Sequence, residues 1–225
     1  QKTIVNNYIK KRIKKFKNKK YFYGQQFKIL NEDKKSFSLK YRNEILNFDK
    51  PKLIGKHQIQ NASIAISAIL QIRDFGYKIS KKSINVGLKK TIWPGRLEKG
   101  HLKNIPVYLD GAHNIAGAEQ LAIFFRNNLI NRWLVLGMLN NKDLKNYLLK
   151  LKNIITGVVA IKIPGEKNSF LTNEIFIACK NLNIRCVQKK NIVETNKYLT
   201  NIIKPKEIII SGSLYLVGKI RSLYI

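Results

Sequence analysis

Acidic side chains, thiols and long apolar runs are all scarce in this chain. Of 225 residues only 13 are Asp or Glu against 43 Lys or Arg, a formal net charge of +30. Such an excess ordinarily points to nucleic acid or another anionic surface. Here the lysines are spread along the whole chain among abundant Asn and Ile, as compositional drift in an AT-rich genome would leave them. No nucleic-acid-binding motif accompanies them. The only two cysteines, Cys179 and Cys186, fit no metal-ligand spacing, and the three histidines, His57, His101 and His113, lie far from them in sequence. That leaves little support for a zinc site and points to a reducing, cytoplasmic setting. No apolar run approaches the ~20 residues of a membrane-spanning helix, so no membrane role is expected. The chain opens on Gln1, and Thr3-Ile4-Val5 runs straight into a helical pattern. An amino-terminal portion is therefore expected to precede it, and no targeting segment can be read from this end.

What is present is enough apolar residue, 44%, for one large or two small domains with real cores. The informative stretch is Val107-Tyr108-Leu109-Asp110-Gly111-Ala112-His113-Asn114. An apolar strand runs into Asp-Gly and a polar pair, then into small residues opening a helix that carries Leu121, Ala122, Phe124 and Phe125. In an open α/β sheet this places Asp110 and His113 at the carboxyl end of a strand, where ligands bind. A helix amino terminus beside them favours phosphate or carboxylate. Asp110 can accept a hydroxyl, as from a ribose, and the imidazole can donate to an oxyanion or steer a carboxylate. The plainer alternative is a strand-ending turn in which Asp110 or Asn114 merely caps the helix.

Upstream, Ile4, Tyr8, Ile9, Ile13 and Phe16 recur at helical spacing, with a basic face from Lys10 to Lys20; the apolar stripe is expected to pack on a sheet. Residues 21–48 alternate in short runs broken by Asn31-Glu32-Asp33 and Arg42-Asn43, which predicts a small antiparallel meander. A helix follows from Gly55 to Phe75, with Ala62, Ala65, Ile66, Ile69 and Leu70 on its buried side and Gly76 ending it. Asn61 in its first turns could read a base edge, since an amide donates and accepts at once. A shorter helix covers 80–90. At Trp93-Pro94-Gly95-Arg96-Leu97-Glu98 the all-helical stretch gives way to strand–helix alternation, so the domain boundary is set there: residues 1–92 and 93–225. Arg96 at this turn can clamp a phosphate bidentately, with Glu98 holding it in place; the alternative is a hinge bearing a surface ion pair. Beyond Asp110, strands are predicted at 133–136, 158–161, 185–187 and 208–210. Helices are predicted at 115–128, 142–152, 172–181 and 191–203. This alternation predicts a parallel sheet covered on both faces. The loops after Leu109, at 137–143 and at 211–215 would gather at its carboxyl edge.

Five segments together resemble the folylpolyglutamate synthase/dihydrofolate synthase branch of the Mur ligase superfamily. They are Gly55–Ala62 (G-x-H-Q-x-x-N-A), Pro94–Glu98 (P-G-R-x-E), Asp110–Asn114 (D-G-A-H-N), Gly137–Asp143 (G-x-x-x-x-K-D) and Ser211–Gly218 (S-G-S-L-Y-L-V-G). The resemblance implies a Rossmann-like carboxy-terminal domain of parallel sheet, preceded by the tail of a Mur-ligase-type central ATPase domain. It implies an ATP-dependent ligase adding L-glutamate to dihydropteroate or to a folate through an acyl phosphate. By the same resemblance Asn61 contacts adenine, Arg96 the ATP phosphates and Asp110 the ribose, while His113 and Ser213 line the glutamate site. Arg96 and His113 are thereby the candidate catalytic residues. Lys142 and Asp143 are taken as loop-shaping.

The family's P-loop, its Mg²⁺ ligands, its modified lysine and its pterin-binding loop are not in these 225 residues. No metal ligand is assigned here. The chain is therefore expected to be the carboxy-terminal half of a cytoplasmic, monomeric enzyme that uses ATP and Mg²⁺, and to be inactive alone. The rival readings are a fragment of a peptidoglycan Mur ligase and a basic, non-catalytic nucleic-acid-binding module.

Overall fold

The computed structural model describes residues 3–16, 20–128 and 130–225. Contacts divide the chain into two compact units, one of residues 1–50 with 60–88, the other of 51–59 with 89–225.

The first unit holds helix α1 (Thr3–Ile13) and an antiparallel meander of β1 (Phe27–Glu32), β2 (Ser36–Tyr41) and β3 (Glu44–Asp49). Helix α2 (Lys56–Arg73) contributes all but its first turn, and α3 (Lys81–Lys90) closes the unit. Alternation in β2 turns Phe37, Leu39 and Tyr41 inward, beside Phe27 and Phe48. Of the basic run expected from Lys10 to Lys20, positions 17–19 lie outside the described residues, as does the side chain of Ile4. Helix α1 ends at Ile13, and Tyr8 and Phe16 are exposed within this unit. The buried stripe of α2 is Ala62, Ser63, Ile66, Ser67 and Leu70, and Ala65 faces outward. Serines are tolerated in that stripe because each hydroxyl donates back along the helix: Ser63 to the Gln60 carbonyl and Ser67 to the Ser63 carbonyl, both at 2.7 Å.

The second unit is an α/β sandwich on a six-stranded sheet. Its strands are β4 (Glu98–Leu102), β5 (Ile105–Leu109), β6 (Arg132–Leu136), β7 (Gly157–Ala160), β8 (Cys186–Gln188) and β9 (Glu207–Ser211). They lie in the order β4-β5-β9-β6-β7-β8, with only the β4–β5 pair antiparallel. The α/β class and the parallel sheet expected from the alternation are therefore observed. Strand β4 was not expected. Its sequence, Glu-Lys-Gly-His-Leu, lacks apolar alternation because it is an edge strand whose one strand neighbour is β5.

Helices α4 (Ile115–Phe125), α5 (Leu144–Leu151) and α6 (Thr172–Asn181) share one core with Leu134, Leu136 and Ile209. Helix α8 (Leu214–Ile220) shares the other with Trp133, Val135, Ile208 and Ile210. Helix α7 (Ile192–Tyr198) continues as a wider π turn to Ile203. Successive residues of β6 and β9 thus feed opposite faces, so central strands read as unbroken apolar runs. No helix among the described residues is long and apolar enough to cross a membrane.

At the amino-terminal edge of the sheet, Arg132 and Glu207 face each other in register, and Arg132 is 1% exposed. Its Nε donates to Glu207, Nη1 to the Ile154 carbonyl at 2.8 Å and Nη2 to the Asn128 carbonyl at 3.1 Å. The guanidinium also lies 4.3 Å from the centroid of the Phe125 ring. Removing one partner of a buried pair strands the other charge. Glu207→Ala is therefore expected to cost about 3–5 kcal/mol in urea unfolding, and Arg132→Met with Glu207→Leu to recover most of it. A loss under about 1 kcal/mol, typical of exposed pairs, would contradict this account.

Candidate functional site

Four loops meet at the carboxyl edge of the sheet in the second unit: Pro94–Glu98, Asp110–Asn114, the loop from Gly137, and Ser211–Ser213. The junction begins at Asp110. Its side chain is 8% exposed, and its two oxygens accept the Leu97 N–H at 2.8 Å and the Ala112 N–H at 2.7 Å. Burial pushes the carboxyl above its usual range, against the pull of those two N–H groups and the positive charge of Arg96. The bond to Leu97 holds an unfavourable conformation, since Leu97 lies at φ 46° in the left-handed region with its side chain in the core. Backbone bonds complete the junction. The Gly111 N–H donates to the Gly95 carbonyl at 2.8 Å and the Gly212 N–H to the Ala112 carbonyl at 2.9 Å.

Two glycines are required here by space. A Cβ on Gly111 would stand 2.2 Å from Leu214 Cδ2, and one on Gly212, at φ 106°, would stand 2.6 Å from the Gly137 carbonyl oxygen.

His113 is half-buried, and its Nδ1 lies 2.9 Å from the Gly111 carbonyl. A carbonyl only accepts, so Nδ1 donates to it and Nε2 is the ring nitrogen left to meet a ligand. Asn114 caps α4 by accepting the Gly117 N–H at 2.8 Å, which settles the capping alternative in favour of Asn114. Ser213 is 3% exposed, and its oxygen accepts the Tyr215 N–H at 3.0 Å, leaving its O–H to donate.

Arg96 is half-buried and makes no side-chain hydrogen bond or ion pair among the described residues. The expectation that Glu98 holds Arg96 is overturned. Glu98 is taken by Arg221, whose Nε reaches its two oxygens at 3.0 and 2.9 Å, and it also accepts the Gly95 N–H at 2.9 Å. The Arg221 guanidinium holds the Glu98 carboxyl below its usual range. Asn61 is exposed on α2 and belongs to the first unit; the other four belong to the second. Asp143 caps α5 by accepting the Asn146 N–H at 3.1 Å, a loop-shaping part.

Three supporting features escaped the sequence reading. Tyr147, fully buried, donates to Ser211 Oγ at 2.8 Å, and Ser211 donates to the Ala112 carbonyl at 3.3 Å. Tyr147 sits in the apolar stripe of α5 and reads there as core. His57 Nδ1 lies 3.1 Å from Gln120 Oε1 on α4, and its Nε2 accepts from the Gln58 amide at 2.9 Å. Both ring nitrogens are thus satisfied by amides, so His57 ties segment 51–59 to α4. The third is Arg221, 123 positions from Glu98.

Two measurements check these assignments. Tyr147→Phe leaves the Ser211 hydroxyl without its donor and is expected to cost about 1 kcal/mol in urea unfolding. For Asp110 the folded pKa is raised, so the carboxyl opposes folding as it ionises. Wild-type stability relative to Asp110→Asn should therefore fall as pH rises from about 4 through the shifted value. Paired urea midpoints across that window check it; a difference that grows with pH would contradict the sign.

Residues 96–223 match the model of the dihydrofolate synthetase carboxy-terminal domain. The dihydrofolate synthase/folylpolyglutamate synthase of Bacillus subtilis is 30% identical over 206 residues, covering 86% of this chain and 46% of that protein. The dihydrofolate synthetase of Saccharomyces cerevisiae is 28% identical over 195 residues, covering 77% and 45% respectively. In fold, the Mycobacterium tuberculosis folylpolyglutamate synthase, solved with ADP and AMPPCP, superposes with a TM-score of 0.86. It is 21% identical, and the match covers 99% of this chain and 53% of that one. The chain thus spans about half the length of the relatives it matches. Through its match over more than half its residues, the chain belongs to the dihydrofolate synthetase family, carrying its carboxy-terminal domain.

Proposed function

We propose that this chain supplies the carboxy-terminal half of the site of an ATP-dependent ligase that joins L-glutamate to dihydropteroate or a folate. The observation that carries the reading is the convergence of the Arg96, Asp110, His113 and Ser213 loops on one sheet edge, joined by the Asp110 bonds to Leu97 and Ala112 and by the Gly212 N–H to the Ala112 carbonyl. In the proposed reaction a substrate carboxylate attacks the ATP γ-phosphorus, releasing ADP and leaving an acyl phosphate. The glutamate amine then attacks the acyl carbon and inorganic phosphate departs, its proton having gone to a base or to water.

The parts suit that sequence. Arg96, on a pinned turn and without a hydrogen-bond partner among the described residues, offers parallel N–H donors to phosphate oxygens and stabilises charge on the transferring group. Asp110 keeps lone pairs beyond the two its backbone partners use, enough for a ribose hydroxyl. His113 Nε2 is assigned to the incoming glutamate amine, and the Ser213 O–H donates to the glutamate carboxylate. Asn61 is assigned to the adenine edge, as part of the ATPase portion in residues 1–92; residues 93–225 form the ligase carboxy-terminal domain. Among the described residues no three His, Cys, Asp or Glu side chains converge to hold a metal ion. The Mg²⁺ that ATP chemistry of this kind employs is assigned to the P-loop half, and no step here runs through it. A cytoplasmic, monomeric enzyme is the corresponding setting.

The test is transfer of radiolabelled glutamate to dihydropteroate and to tetrahydrofolate by the intact protein as purified from its source cells. Arg96→Ala is expected to lower kcat/KM by about 10²–10³, the size of one lost transition-state donor. His113→Ala is expected to raise KM for glutamate more than KM for ATP. Transfer to neither acceptor, or unchanged kinetics in Arg96→Ala, would overturn the reading.

A further inference from the structure

The turn that carries Arg96 is fastened on both sides, while among the described residues the Arg96 side chain makes no hydrogen bond or ion pair and acts by its charge on the buried Asp110 carboxyl. Before it, the Gly95 N–H goes to Glu98 at 2.9 Å and the Gly95 carbonyl accepts the Gly111 N–H at 2.8 Å. After it, the Leu97 N–H goes to Asp110 at 2.8 Å. Glu98 stands two positions from Arg96 and is the nearest carboxylate in sequence. Released from its partner, a carboxylate two positions along the same turn can swing to the Arg96 guanidinium, since opposite charges attract strongly once they approach in a half-buried site. It does not, because Arg221, directly after α8, engages both its oxygens.

We propose that Arg221 is a positioning residue for the ligase reaction. By occupying Glu98 it fixes the Pro94–Leu97 turn through the Gly95 N–H and keeps Glu98 off Arg96, so that the Arg96 guanidinium stays available to phosphate. Arg221 acts through Glu98 and touches no substrate. The inference rests on the reading of Arg96 as a phosphate contact. It predicts an asymmetry that a merely structural ion pair would not produce. Losing Arg221 alone frees Glu98 to neutralise Arg96, whereas losing both partners removes the competitor as well.

The experiment is a titration of the isotopically labelled full chain with inorganic triphosphate, followed at the Gly95, Arg96 and Leu97 amides by NMR, with the thermal midpoint of each variant recorded. Reading local amides separates this site from diffuse attraction to a chain of net charge +30. Arg221→Met is expected to weaken triphosphate binding at these amides roughly three- to thirtyfold, the range of coupling carried by a contact that touches no ligand. Adding Glu98→Gln should restore most of the affinity while leaving the thermal midpoint low. Arg221→Lys, which keeps the charge, should lie between wild type and Arg221→Met. A double variant binding no better than Arg221→Met, or an Arg221→Met affinity equal to wild type, would overturn the proposal with the Arg96 reading intact. If Arg96→Ala leaves the Gly95 and Leu97 amides titrating as in wild type, the phosphate reading fails and the positioning role falls with it.

Discussion

A single buried carboxylate organises the carboxyl edge of the second unit. Asp110 receives N–H groups from two loops at once, Leu97 from the turn entering β4 and Ala112 from its own loop. The first bond keeps a buried leucine in a left-handed conformation that would otherwise relax; the second shapes the turn that presents His113. Burial opposes the charge on this carboxyl. Such a cost is common at functional clusters, which fits the site proposed here.

Around that anchor the division between structural and available groups is sharp. Asn114, Asp143 and His57 spend their polar atoms inside the fold. Arg96, the Nε2 of His113 and the O–H of Ser213 keep capacity to bind. The opposite edge of the sheet shows the contrast: Arg132 there is as buried as any apolar side chain, and its donors go to Glu207 and two carbonyls. One edge serves stability; the other is the edge at which open α/β sheets bind ligands, and the proposed site lies there.

Much of this was legible in the sequence. The apolar runs at 133–136, 158–161 and 208–210 announce buried parallel strands because both faces of the sheet are covered. Asp-Gly after Leu109 announces a strand end, and the motif residues fall where that pattern puts them. What escaped is what depends on distant partners. Strand β4 has no apolar alternation because it is an edge. Ala65 was placed on the buried side of α2 by periodicity, whereas the stripe is rotated to include Ser63 and Ser67, whose hydroxyls are satisfied within the helix. Glu98 was matched to the nearest arginine in sequence, and its partner lies 123 residues away. Tyr147 reads as core until its hydroxyl is seen to meet Ser211.

The most direct test of the central claim is a crystal structure of this chain soaked with ADP and L-glutamate. The account predicts a ribose hydroxyl on the Asp110 carboxylate, phosphate oxygens at Arg96, and the glutamate amine at His113 Nε2. Nucleotide density at any other place on the second unit, with the Asp110 edge occupied by solvent alone, would contradict it.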